Sequence, residues 1–195
     1  MRYYSRMSPR TSRAAAPELQ VALLRGINVG GKNIVPMPEL TALFSAAGCS
    51  DVRSYIQSGN VVFRADRALT KRLPALMAAQ IATRFGCDVP VILRTRAELA
   101  AVARGNPFLA PEVDAATLLV MFLAEAPAAR SIAALDPERS PPDEFVVRGR
   151  EIFLRCPNGF GRSKLSNQYF DSKLATTSTA RNWRTVLKLL ELVQS

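Results

Sequence analysis

Residues 52–64, VRSYIQSGNVVFR, decide the fold. Val52, Ser54 and Ile56 alternate with Arg53, Tyr55 and Gln57, the two-residue period of a half-buried strand. Gly59-Asn60 supplies a tight turn and Val61–Arg64 returns, so the stretch predicts a β-hairpin. Upstream, Met37–Ala47 carries Pro38 at a first-turn position, sets Leu40, Leu43, Phe44 and Ala47 on one face, and stops at Gly48, the grammar of a helix. Before it, Gln20–Arg25 (QVALLR) is a short apolar run closed by Gly26, a buried strand. Downstream, Thr70–Phe85 places Leu73, Leu76, Met77, Ile81 and Phe85 on one stripe and ends at Gly86. Pro74 is tolerated there as a first-turn residue. Val89–Leu93 predicts another strand and Arg96–Arg104 a short helix. The order β-α-β-β-α-β is the split βαβ motif of a ferredoxin-like sandwich.

The second half partly repeats this order. Leu118–Leu123 is a strand and Ala128–Leu135 a short helix. Glu144–Val147 and Glu151–Arg155 flank Arg148-Gly149-Arg150 as a second hairpin, and Leu165–Leu174 follows as a helix. Asn182–Val193 sets Trp183, Val186, Leu187, Leu190 and Val193 on one face behind Asn182 as N-cap. Trp183 on that stripe is core. The predicted class is α+β: two ferredoxin-like (split βαβ) repeats, 20–104 and 105–195, with an additional C-terminal helix. The boundary falls in Gly105–Ala115, which holds Pro107 and Pro111, and Asp136–Pro142 is a loop. Residues 1–19 lack the apolar centre of a secretory signal and are read as a disordered extension.

The 195 residues include 26 Lys+Arg, 16 Asp+Glu and no histidine, for a net charge of +10. Without imidazole there is no Ser-His-Asp or Cys-His relay and no His-ligated metal. The balance is +3 over 1–19, +6 over 20–104, −5 over 105–147 and +6 over 148–195. Such a chain attracts polyanions through its summed field, and the acidic middle gives that attraction preferred faces. The plainer alternative is a chain that uses Arg as its ordinary surface cation. No apolar run approaches the roughly 20 residues that cross a bilayer, so no membrane partner is expected. Cys49, Cys87 and Cys156 show no CxxC spacing, which argues against a disulfide framework or a zinc site. They read as thiols of a reducing compartment; Cys156 alone has a cation, Arg155, beside it. No metal and no cofactor are expected.

Three loops carry the polar chemistry. Gly26-Ile27-Asn28-Val29-Gly30-Gly31-Lys32-Asn33 has the Walker A spacing up to the lysine. Asn33 replaces the magnesium-holding hydroxyl, and Pro36 and Pro38 keep the chain extended where a P-loop would start its helix. What remains is a glycine loop whose amides can approach a ligand, with Lys32 adding charge, or a surface turn that needs glycine for its dihedrals. Gln57-Ser58-Gly59-Asn60 adds a polar tip at the first hairpin. Pro157–Lys164 leads into the helix at Leu165 with Ser163 as its cap; Arg162 and Lys164 flank that cap, which suits a phosphate or carboxylate, or form a basic loop that merely faces water.

The stretches VALLRGINVGGKNIVP (21–36), YIQSGNVVF (55–63), GRSKLSN (161–167) and ARNWRTVLKLL (180–190) together resemble the bacterial domain-of-unknown-function family numbered 1697. The resemblance spans about residues 20–193 and implies a duplicated ferredoxin-like fold and a cytoplasmic protein. It implies no reaction, because the family has no established activity. The family's motifs fall on Arg25, Asn28, Gly30, Gly31 and Lys32; on Gln57, Ser58, Gly59 and Asn60; and on Arg162, Ser163, Lys164, Arg181, Asn182 and Trp183.

Apart from Trp183, these are cations, amides, hydroxyls and glycines without a carboxylate, a set suited to recognising an anion rather than cleaving a bond. The expected function is a module for a phosphate-bearing ligand, nucleic acid or a nucleotide. RNA-recognition-motif stacking is weakened because only Tyr55 and Phe63 could serve as platform aromatics. The alternative is a metal-independent enzyme for a small anionic metabolite, clamped by Arg25, Lys32 and Lys164. A shared site requires the three loops to converge.

Overall fold

The computed structural model describes residues 17–195. The extension expected over 1–19 lies outside the described residues as far as residue 16; its last residues join the first strand. That strand, β1 (Glu18–Leu24), is followed by α1 (Met37–Ala46), β2 (Ser50–Tyr55), β3 (Asn60–Ala65), α2 (Arg67–Phe85), β4 (Val91–Thr95) and α3 (Arg96–Gly105). The second run is β5 (Leu118–Leu123), α4 (Ala129–Ala133), β6 (Glu144–Arg148), β7 (Glu151–Arg155), α5 (Asn167–Leu174), β8 (Ser178–Asn182) and α6 (Trp183–Gln194). Both sheets are antiparallel, with orders β2-β3-β1-β4 and β6-β7-β5-β8. These are the same order, element for element. The protein is an α+β pair of ferredoxin-like repeats, each ending in an extra helix.

β1 and β5 are central strands buried on both faces, which is why their sequences run apolar without alternating. One face of the first sheet, with Ala22, Leu24, Val61 and Phe63, packs under α1 and α2. The matching face of the second, with Leu119, Met121 and Ile152, packs under α4 and α5. The two remaining faces share one core with α3 and α6, where Val21, Leu23, Val62, Val120, Phe122, Phe153 and Trp183 meet. Each such side chain contributes about 1.5–3 kcal/mol on leaving water.

Six expectations change. On α6 Leu187 is exposed, and Leu189 takes the place expected for it in the shared core. The first hairpin turns at Ile56–Gly59, so Asn60 is the first residue of β3 and is buried. α2 starts at Arg67, capped by the Asp66 carboxylate, which accepts from Leu69 N. Pro74 is therefore inside the helix rather than in its first turn. α5 starts at Asn167, capped by Ser166 and not by Ser163, whose hydroxyl accepts from Leu165 N. β8 is a strand the periodicity does not announce, because three of its five residues are buried polar ones: Ser178, Thr179 and Arg181.

Candidate functional site

The loop after β1 is a small hairpin. Val29 and Lys32 bridge each other, and Gly30 (φ 59°) and Gly31 (φ 73°) make a two-residue turn with both residues left-handed. Asn28 locks its base: its amide donates to the Val35 and Gln57 carbonyls at 3.0 and 2.9 Å, and its Oδ1 accepts from Val35 N. Asn33 donates to the Gly26 carbonyl at 3.1 Å. The bond from Asn28 to Gln57 brings the first two polar loops together.

Seven left-handed residues crowd these two loops: Gly26, Asn28, Gly30, Gly31, Asn33, Ile56 and Gly59. Ile56 is β-branched, sits at φ 49° and is exposed, a strained arrangement of the kind found where a ligand is held. Lys32 stands at the open tip with no carboxylate partner among the described residues. The Gly30 and Gly31 amides have no protein acceptor among them either.

Beneath both loops lies Arg181, carried in on β8 from the other repeat. Its five N–H groups are spent on Asn60 Oδ1 (2.5 Å), Thr179 Oγ1 (2.8 Å) and the carbonyls of Ala180 (2.7 Å), Leu24 (2.8 Å) and Gly59 (3.2 Å). Arg94 on β4 makes the reciprocal set in the other direction, to Glu151 and to the carbonyls of Leu93, Leu123 and Arg150. The strand registers confirm the equivalence: Val21 faces Arg94 and Val120 faces Arg181, while Leu23 faces Asn60 and Phe122 faces Glu151. Each arginine precedes a helix cap, Thr95 for α3 and Asn182 for α6.

The two arginines differ in one respect. Arg94 pairs with a carboxylate at 2.9 Å, whereas every partner of Arg181 is neutral. Burial draws the Arg181 guanidinium down to about 10, still charged at neutral pH. Burial also lowers Arg94, and Glu151 opposes that only in part. A positive charge therefore stays uncompensated under the edge formed by Leu24, Gly59 and Asn60. In a low-dielectric interior such a charge acts over longer range than a surface one.

Arg25 is half-buried and bonds Asp171 of α5, whose other oxygen accepts from Ser178 Oγ at 2.6 Å. Asn167 completes the chain by donating to Ser178 Oγ at 2.8 Å. The site thus holds a carboxylate, Asp171, that the sequence-derived set lacks. Arg162, Ser163 and Lys164 do not join it through any bond among the described residues. Their loop is tied to the proline-rich one, where Lys164 N donates to Ser140 Oγ at 3.0 Å. Arg25, Asn28, Gln57, Asn60 and Arg181 lie in the two connected loops and their support. Ser58 accepts from Asn60 Nδ2, and Asn182 caps α6.

Phe63 is buried in the first core and Tyr55 is half-buried against the shared one, so neither is a free stacking platform. The Cys156 thiol is buried, and burial together with Asp143 pushes it up to about 11, the opposite of an activated thiolate. Burial does the same to Cys49. No group of three His, Cys, Asp or Glu among the described residues could hold a metal ion. No helix among them is long and apolar enough to cross a membrane.

The family model described as protein of unknown function (DUF1697) matches residues 18–153. No curated protein matches the chain. Among solved structures, the conserved bacterial protein SP0830 from Streptococcus pneumoniae superposes with a TM-score of 0.70 at 22% identity. That match covers 92% of this chain and 100% of the other, and it bears on the fold alone.

Proposed function

Because the chain belongs to the DUF1697 family of proteins of unknown function, its site is read from its own residues, and we propose that it binds a phosphate-bearing ligand, nucleic acid or nucleotide, at the joined loops Gly26–Asn33 and Ile56–Gly59. The observation that carries this reading is Arg181, a buried cation without a carboxylate directly under both loops, where its symmetry mate has one. Lys32 and the unpartnered Gly30 and Gly31 amides supply the contacts at the surface. Val29 and Ile56, exposed on the same loops, and Ile34 just after the first offer an apolar shelf for the base. Arg25 takes a lesser part, since Asp171 already neutralises it.

Labelled single- and double-stranded RNA and DNA, titrated at several salt concentrations beside a set of nucleotides, test it. Lys32→Ala is expected to weaken binding about 3- to 10-fold and to lower the salt slope by about one. Binding no tighter than that of a charge-matched control protein would sink the reading. Arg25 and its half-buried chain through Asp171, Ser178 and Asn167 favour one second reading, a small anionic metabolite. A saturable thermal shift from a phosphosugar or acyl-phosphate, lost in Arg25→Ala and absent with nucleotides, would favour it instead.

A further inference from the structure

Gln20 is a polar residue in a place the fold gives to an apolar one. It sits opposite Thr95 in β1, and the matching residue of β5, opposite Asn182, is Leu119, which packs in the core beneath α4 and α5. The Gln20 side chain is buried, and its carbonyl oxygen has no hydrogen-bond donor. The amide orientation is fixed by its neighbour. Thr70 Oγ1 spends its proton on the Asp66 carbonyl at 2.8 Å, so it can only accept from Gln20 Nε2, at 2.9 Å. An orphaned buried acceptor costs on the order of a kilocalorie or more, and leucine at the sister position shows that the fold does not need it.

Gln20 lines a cleft of about 350 Å³ where the two repeats meet, the size of a small-ligand site. Thr70 and Pro74 form its α2 wall. Pro74 has no N–H, so the Thr70 carbonyl, one turn before it, is left without its helical donor. Glu98, Glu125 and Arg150 carry the charge around the cleft. Arg150 is held by Glu98 and by the Ala124 carbonyl. Burial works against the Glu98 charge, but hydrogen bonds from Thr95 and the field of Arg150 outweigh it and hold the carboxyl below its usual range. Glu125 has no cation partner among the described residues, which leaves the cleft one negative charge in surplus. Val91 and Leu93 supply apolar lining.

By the internal symmetry, Ala124 and Glu125 correspond to Arg25 and Gly26, so this cleft is the counterpart of the glycine-loop site with its charge inverted. The geometry points to a second, independent ligand site in which Gln20, the Thr70 carbonyl and Glu125 receive the N–H groups of a small aliphatic amine cation. The proposal does not depend on the phosphate reading, which concerns the other cleft.

Thermal shift with 1,4-diaminobutane and n-butylamine at constant ionic strength tests it on the full chain. The wild type is expected to show a saturable rise in Tm, larger for the diamine than for matched sodium chloride. Gln20→Leu should melt higher than wild type without amine, because the orphaned carbonyl is gone, and should lose most of the amine-induced rise. Glu125→Gln, on the exposed rim, should leave the amine-free Tm unchanged and weaken the amine about 10-fold. A wild type that gains nothing over sodium chloride, or a Gln20→Leu protein that keeps the full rise, would overturn the proposal.

Discussion

Gly59 is the residue whose replacement the site tolerates least. A Cβ there would lie 2.8 Å from Leu24 Cβ and 3.0 Å from Ile27 Cγ1, and its φ of +74° disfavours any L side chain. Gly59→Ala is expected to cost at least about 2 kcal/mol in urea unfolding, from overpacking plus left-handed strain. Gly30→Ala meets open space and carries only the dihedral cost, about 1 kcal/mol. Equal losses for the two would contradict the close approach drawn for Gly59. The sequence makes Gly59 legible as a turn glycine but hides the reason for it, because Leu24 and Ile27 are brought to it by sheet pairing. Asn60 and Arg181 are legible as polar residues of note. Their burial and their mutual bond, across 121 residues of chain, are not.

Among the elements, those with an apolar period are legible and those held by polar contacts are not. β1 and β5, the face of α1 and, Leu187 apart, the stripe of α6 follow from hydrophobic spacing. β8 does not, since Ser178, Thr179 and Arg181 fill its inward positions and find partners only in the folded molecule. The start of α2 falls three residues earlier than the expected one because Asp66 caps it ahead of a first turn in which Leu69 alone is buried. The dipeptides Arg94-Thr95 and Arg181-Asn182, each ahead of a helix, are a signal from which the paired arginines could have been found. At this scale the cap of α5 is open to test. Ser166→Ala should speed amide exchange at Tyr169 and the rest of the first turn, by an amount equivalent to about 1 kcal/mol, and Ser163→Ala should not. The reverse would return the helix start to Leu165.

For the whole molecule, duplication explains more than the net charge does. Several cations contributing to the +10 are taken up by ion pairs, including those of Arg25, Arg64, Arg84 and Arg155. What sets the two buried arginines apart is one exchange, Asn60 where the other repeat has Glu151. That exchange leaves Arg181 uncompensated beneath the glycine loop. A second basic surface competes with it: Arg67, Lys71 and Arg72 lie exposed near the start of α2 and carry no ion pair among the described residues. The most direct measurement is therefore residue-by-residue amide chemical-shift mapping during titration with a short oligonucleotide and with a mononucleotide. The account predicts saturable shifts centred on Gly30, Gly31, Lys32, Gln57 and Ser58. Shifts confined to Arg67–Arg72, or no saturable shift at the loops with either ligand, would contradict it.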